Sequence, residues 1–259
     1  MTIEDLEKYI HTFYGYGNWE KLNKSNDSIW FIGIEERGGE SFKNLERRVD
    51  SWTKFGTNLI DNQEHHINIG IPKLFTNGDY QPTWSALIKL RLGYEGKEIS
   101  PKIVKDIQKN NWGHSDSDNL IIELFPLPSP NAEMWNYSKE DFKPCDKLDY
   151  LKSREAYEKH VVPFRIEHIK KKIFSKKPKV VVMYSTSKKI KNHWNDIIGE
   201  NPDKNFITKI QSYPYSIQVT IKNGVLFIQV PHPNGVRGKG KGYVTNFWKK
   251  VGECIKANL

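Results

Sequence analysis

Short apolar runs alternate along this chain with stretches of helical periodicity. Residues 28–34, Ser-Ile-Trp-Phe-Ile-Gly-Ile, predict a buried strand that stops at Glu35-Glu36-Arg37-Gly38-Gly39. A continuous apolar run of that length suits a strand covered on both faces. Residues 119–125 predict a second strand, halted by Pro126-Leu-Pro-Ser-Pro-Asn131, which cannot continue a ladder. Residues 179–184 predict a third. Asn223-Gly224, between 216–222 and 225–230, predicts a hairpin whose second arm ends at Pro231-His232-Pro233-Asn234-Gly235.

Helices fill the intervals. Residues 2–13 predict a short helix that ends in the loop from Tyr14 to Trp19. Leu45, Val49 and Trp52 recur at helical spacing after Ser41, and Pro82 and Pro101 each open a further helix. Residues 147–174 predict a helix with a break at Pro163, its face formed by Ile166, Ile169 and Ile173. Ser185-Thr-Ser187 caps another that reaches about Ile198, and Val244, Phe247, Trp248, Val251 and Ile255 stripe the last. His65 and His66 are expected at the surface. The alternation predicts the α/β class, with a mainly parallel central sheet of about four strands in a single domain over residues 1–259. In such sheets ligands sit beyond the carboxyl ends of the strands, here marked by Glu35, Phe125, Tyr184 and His232.

Charge adds a partner to this picture. Lys and Arg outnumber Asp and Glu by 40 to 31, a formal charge of +9 that favours a polyanion such as DNA. Cys145 and Cys254 are too few for a four-cysteine zinc or iron–sulfur site and are expected as free thiols in a reducing cytoplasm. No signal peptide is expected at the start, and no apolar run is long enough to span a membrane. A monomer without metal or cofactor is expected.

Four stretches could carry chemistry. In Gly33-Ile-Glu35-Glu36-Arg-Gly38-Gly39 a carboxylate stands at a strand end, where it could orient a water or stabilise a cation. Gly33 would let a substrate approach the backbone, and the paired glycines would keep the loop open. The plain alternative is a solvated turn. His232, held between prolines, could donate to negative charge on a leaving group, or make one structural hydrogen bond. Glu123 interrupts an apolar strand, so it either faces a pocket or pairs with a basic side chain. The run from Asn234 to Tyr243 interleaves glycines with Arg237, Lys239 and Lys241, which suits phosphate contacts.

Taken in order, Gly33-Ile-Glu35, Leu120-Ile-Ile-Glu123, Val180-Val-Val-Met-Tyr-Ser185 and His232-Pro233-Asn234 resemble the motif series of the uracil-DNA glycosylase superfamily. The resemblance implies a three-layer α/β/α fold and hydrolysis of a glycosidic bond after a base is flipped from DNA. It implies Glu35 or Glu36 for the sugar cation and attacking water, and His232 for the departing base. Glu123 and Asn234 would lie at the base, stacked on an aromatic such as Phe125 or Trp30. Ser185, Arg237, Lys239, Lys241 and Tyr243 would contact DNA, with Val236, Arg237 or Tyr243 as the wedge. The sequence departs from the uracil enzymes in three places. Glu36 stands where a proline often follows, Gly38-Gly39 near where an aromatic excludes thymine, and Glu123 where an asparagine reads the base. These changes point to a 5-substituted cytosine, such as the glucosylated hydroxymethylcytosine removed by anti-phage members. Two rival readings are a Mg²⁺ nuclease using Glu35, Glu36 and Glu123, and a non-catalytic DNA-binding module.

Overall fold

The computed structural model describes residues 1–21, 28–76, 79–131, 133–240 and 242–259. Lys241, an expected phosphate contact, lies outside the described residues. The elements in chain order are α1 (Ile3–Thr12), β1 (Gly15–Tyr16), β2 (Ile29–Gly33), α2 (Phe42–Phe55), β3 (Leu59–Ile60), α3 (Asn62–Asn68), α4 (Lys73–Thr76), α5 (Pro82–Glu95), α6 (Pro101–Asn110) and β4 (Asn119–Glu123). They continue with α7 (Arg154–Lys176), β5 (Val180–Met183), α8 (Lys188–Ile198), β6 (Lys204–Lys209), β7 (Ser216–Lys222), β8 (Val225–Gln229) and α9 (Tyr243–Ala257).

The strands form one mixed sheet in the order β3-β1-β4-β2-β5-β8-β7-β6. Its centre, β4-β2-β5-β8, is parallel throughout, with Gly33 beside Glu123 and Met183 beside Gln229. All residues of these four strands are buried, which is why each reads as a mainly apolar run, with polar residues only at the ends of β4 and β8. The sheet therefore has eight strands rather than about four. The additional ones gave little signal. β1 and β3 are two residues each, and β6 carries Lys204 and Lys209 on an exposed edge, where charge is the usual protection.

Helix ends follow local chemistry. Ser41, Ser100 and Ser187 accept from backbone N–H groups at the starts of α2, α6 and α8, and Pro82 and Pro101 occupy first turns. Asn223 (φ 51°) and Gly224 (φ 78°) make the β7–β8 turn. The expected break at Pro163 is absent: α7 runs through it, held by buried Tyr157 and Val161 before it and Ile166, Ile169 and Ile173 after it. Residues 147–153, expected in that helix, precede it in bends and short 3₁₀ turns. His65 and His66 are buried in α3 rather than exposed, at 0% and 5%. His65 Nδ1 is 3.0 Å from Ser51 Oγ, and His66 Nδ1 bonds to the Asn62 carbonyl. The last helix lies on α5 backbone to backbone. A β-carbon on Gly93 would strike the Lys249 carbonyl, and one on Gly252 would strike the Leu90 carbonyl. Among the described residues no helix is long and apolar enough to cross a membrane.

Candidate functional site

Because β4, β2, β5 and β8 are parallel and adjacent, their carboxyl ends share one edge of the sheet. Each of the four sequence motifs falls at one of these ends. The strand-like pairing of β2 and β4 continues irregularly past both. Phe125 N–H donates to the Ile34 carbonyl, Ser129 N–H to Glu36, and Gly38 N–H to Ser129.

The two carboxylates after β2 diverge in role. Glu36 turns inward and accepts from the Tyr16 hydroxyl and the Arg48 guanidinium, with His66 Nε2 3.8 Å away. Burial would raise its pKa, but Arg48, backed by His66 and Tyr16, more than offsets this and leaves it below the usual carboxylate range. Arg48 also donates to the Arg37 carbonyl and to Asn44, so the pair fastens the turn to α2. Glu35 pairs instead with Arg154 Nη2 at 2.6 Å, and Arg154 Nε reaches Glu158 at 2.9 Å.

Glu123 is 5% exposed, and its Oε2 has no hydrogen-bond partner. Of the two expectations, it is thus not paired with a basic side chain. Arg165, wholly buried in α7, donates to the backbone carbonyls of Phe13, Glu123 and Leu124 rather than to the carboxylate. Burial drives the Glu123 pKa well up, and Glu36 and Glu35 push in the same direction, against Arg165 and Arg48. Burial thus favours the protonated form of this carboxyl. It converges with Tyr184 on Gly33, where an added β-carbon would collide with the Tyr184 hydroxyl and stand 2.8 Å from Glu123 Oε2. Gly33 makes room for these two side chains, where the sequence had suggested room for an approaching substrate.

The glycine pair is corrected in the same way. Gly39 has φ +68°, and a β-carbon there would stand 2.5 Å from the Pro128 carbonyl oxygen and 2.8 Å from the Tyr137 hydroxyl. One on Gly38 would stand 2.7 Å from Arg48 Nη2. Both glycines serve close packing, so the space expected here for a bulky 5-substituent is filled.

His232 is half-buried, and its ring centroid lies 6.2 Å from that of Tyr184. The Asn234 backbone N–H donates to His232 Nδ1 at 3.2 Å. An accepting Nδ1 places the proton of the neutral ring on Nε2. Burial lowers the His232 pKa, which favours that neutral form. Beyond it the loop is tied down by Tyr215, whose hydroxyl accepts from Arg237 N–H and lies 3.2 Å from the Gly235 carbonyl. Asn234, Arg237 and Lys239 are exposed, and Tyr243 packs over Gly238.

Other expected residues sit deeper. Val236, a wedge candidate, is 4% exposed and belongs to the core. Phe125 and Trp30, the stacking candidates, are 1% and 0% exposed, Phe125 packed against Tyr157 and His193. Ser185 is buried, its hydroxyl 3.4 Å from the Ser187 N–H at the start of α8. Among the described residues no three His, Cys, Asp or Glu side chains form a metal-holding group. Glu35 and Glu36 are turned to different arginines, which does not favour the nuclease reading.

Tyr16, Arg48, Arg154 and Arg165 were not anticipated. Two left a trace. Arg48 falls on the same helical face as Leu45, Val49 and Trp52, and Arg165 follows Val161 and precedes Ile169 at four-residue spacing. A charge on an apolar stripe marks a buried ion. No protein-family model and no curated protein matches the chain.

Proposed function

We propose that this protein is a DNA glycosylase of the uracil-DNA glycosylase superfamily, with the three-layer α/β/α arrangement of that fold. One observation carries the reading. Motifs spread over some two hundred residues of sequence meet on one edge of the sheet, at the ends of four adjacent parallel strands.

In hydrolysis a water oxygen attacks the anomeric carbon, the carbon–nitrogen bond breaks, and its electron pair leaves with the base. His232 donates its Nε2 proton toward the departing base as negative charge collects there. Glu35 faces the sugar cation and takes the proton of the water. That assignment prefers Glu35 over Glu36 because both Glu36 oxygens are taken, one by Tyr16 and one by Arg48, and Glu35 would act alongside its ion pair with Arg154. Glu123 reads the base edge as a neutral acid, with one O–H donor and one acceptor side by side. The N3 acceptor and N4 amine of cytosine match that pair. The N3–H and O4 of uracil match it in the reverse order. A neutral carboxyl can carry its proton on either oxygen, so the pair fits both edges, and the choice between cytosine-type bases and uracil is read from the release experiment below.

The test is mass spectrometry of bases released, in EDTA, from matched DNAs carrying uracil, cytosine, hydroxymethylcytosine and its glucosylated form. One released base, with an abasic site left behind, is the expected result. Tight binding with no release from any of them would favour a non-catalytic module. Strand breaks that need Mg²⁺ would favour the nuclease.

A further inference from the structure

We propose that the cleft between the β6–β7 connection and the start of α9 is a second nucleotide-binding subsite, which holds a stretch of single-stranded DNA flanking the reacting nucleotide. The proposal rests on the DNA-directed reading above, but its test does not require base release. The cleft encloses about 360 Å³ and is lined by Tyr213, Tyr243, Asn246, Lys249, Lys250 and Glu253, with Ser212 at its rim. That volume falls within the range of small-ligand sites.

Its chemistry suits a nucleotide. Tyr213 and Tyr243 meet edge to face at 4.9 Å, and Tyr213 is braced from behind by Phe247 at 5.2 Å. A fixed aromatic platform accepts any base, since every base has a π-face. Lys250 Nζ lies 5.9 Å from the Tyr213 ring centroid, and Lys249 Nζ lies 3.8 Å from Glu253. The Lys250 ammonium stands over the Tyr213 ring and Lys249 lines the same cleft, so a backbone phosphate entering it would meet positive charge. The one carboxylate of the lining contacts Lys249 across a weak, solvent-exposed pair that a phosphate can replace.

The cleft also continues the candidate site. The chain from His232 to Gly238 cannot span more than about 22 Å, and Gly238 lies under the Tyr243 ring. At about 3.4 Å per stacked nucleotide, the cleft stands no more than about six nucleotides from His232. Tyr215 hydrogen-bonds the intervening loop at Gly235 and Arg237 and packs on Phe247, so loop and cleft are one surface.

The probe is single-stranded oligo(dT) of about 14 nucleotides, long enough to cover both sites. Its binding is read by fluorescence anisotropy over a salt series. Tyr213→Ala should weaken binding by about five- to 150-fold, the loss expected for one base–aromatic stack. The double variant Lys249→Gln/Lys250→Gln, confined to surface side chains, should lower the slope of log K against log salt by about 0.7 to 1.4. In the wild type, oligo(dT) should protect both lysines from acetylation. Unchanged affinity and slope in the lysine variant, with both amines still acetylated, would overturn the subsite even if Tyr213→Ala misfolded. An acidic peptide that protects the lysines where oligo(dT) does not would overturn it in favour of a protein partner. Base release with wild-type binding in the cleft variants would refute the subsite alone. Loss of binding in those variants, in a chain that releases no base, would refute the glycosylase reading alone.

Discussion

Glu123→Gln isolates one proton. In the folded protein the Glu123 carboxyl is buried with an unpartnered oxygen and a pKa well above the ordinary value, while in the unfolded chain it titrates near ~4.3. Between those two pKa values the folded state holds a proton that the unfolded state has lost. Stability from this group is therefore complete below the unfolded pKa and declines as pH rises toward the folded one. The slope between them is at most about 1.4 kcal/mol per pH unit, so wild type should lose up to about 1.4 kcal/mol relative to Glu123→Gln for each pH unit above the unfolded pKa. In a domain of this size that corresponds to roughly 3–6 °C in melting temperature. Other groups titrate in the same range, including buried His65 and His66, but they are common to both proteins and cancel in the difference. The assay is urea or thermal denaturation of the two proteins in parallel at half-unit pH steps. Parallel profiles would refute the reasoning, since they would mean that the folded carboxyl is ionised and has found a partner. The amide keeps one donor and one acceptor at the same place, so Glu123→Gln should also retain more base release than Glu123→Ala.

His232→Ala should lower single-turnover base release by about 10²–10³ while leaving DNA affinity nearly intact. With its pKa below 6.5, the wild-type rate should hold down to slightly acidic pH before the ring protonates, which a pH–rate profile checks. Glu35→Gln should abolish release with little loss of stability. Glu36→Gln should instead cost about 3–5 kcal/mol in urea denaturation, by leaving the Arg48 charge buried without its partner. Activity in Glu35→Gln, with none in a folded Glu36→Gln, would reverse the two roles. Replacing Arg237 and Lys239 with Glu should weaken DNA binding and flatten its salt dependence, and an unchanged slope would mean that the loop faces away from DNA.

The central strands were legible because parallel strands buried on both faces leave apolar runs, as in residues 180–183 and 225–228. Helix starts were legible wherever a serine cap or a first-turn proline stood before a periodic stretch, as at Ser41 and Pro101. The outer strands were not, since β1 and β3 owe their two-residue pairing to neighbours remote in sequence. At the site, the positions of Glu35, Glu36, Glu123 and His232 could be read, but their states could not. Whether a carboxylate meets Arg154, Arg48 or no partner depends on helices that dock from far along the chain. Glycine was the most misleading residue. Gly33, Gly38 and Gly39 suggested open space, whereas a missing side chain is equally the mark of a place already filled by Tyr184, Arg48 or Tyr137.

The contact of α5 with α9 through Gly93 and Gly252 sets the terms on which the basic loop can move. Where Gly93 and Gly252 bring the two backbones together there is no side chain to give way, so a shift of α9 at those points meets backbone directly. The loop after His232 is thus strung between two fixed posts, β8 in the middle of the sheet and α9 on its weld. On the proposed reading, DNA would be accommodated by the span itself, through its glycines at 240 and 242, while the distance between the posts stays constant. Lengthening or shortening that span by a residue would change its fit to the strand without disturbing either anchor, which makes it the natural place to retune grip.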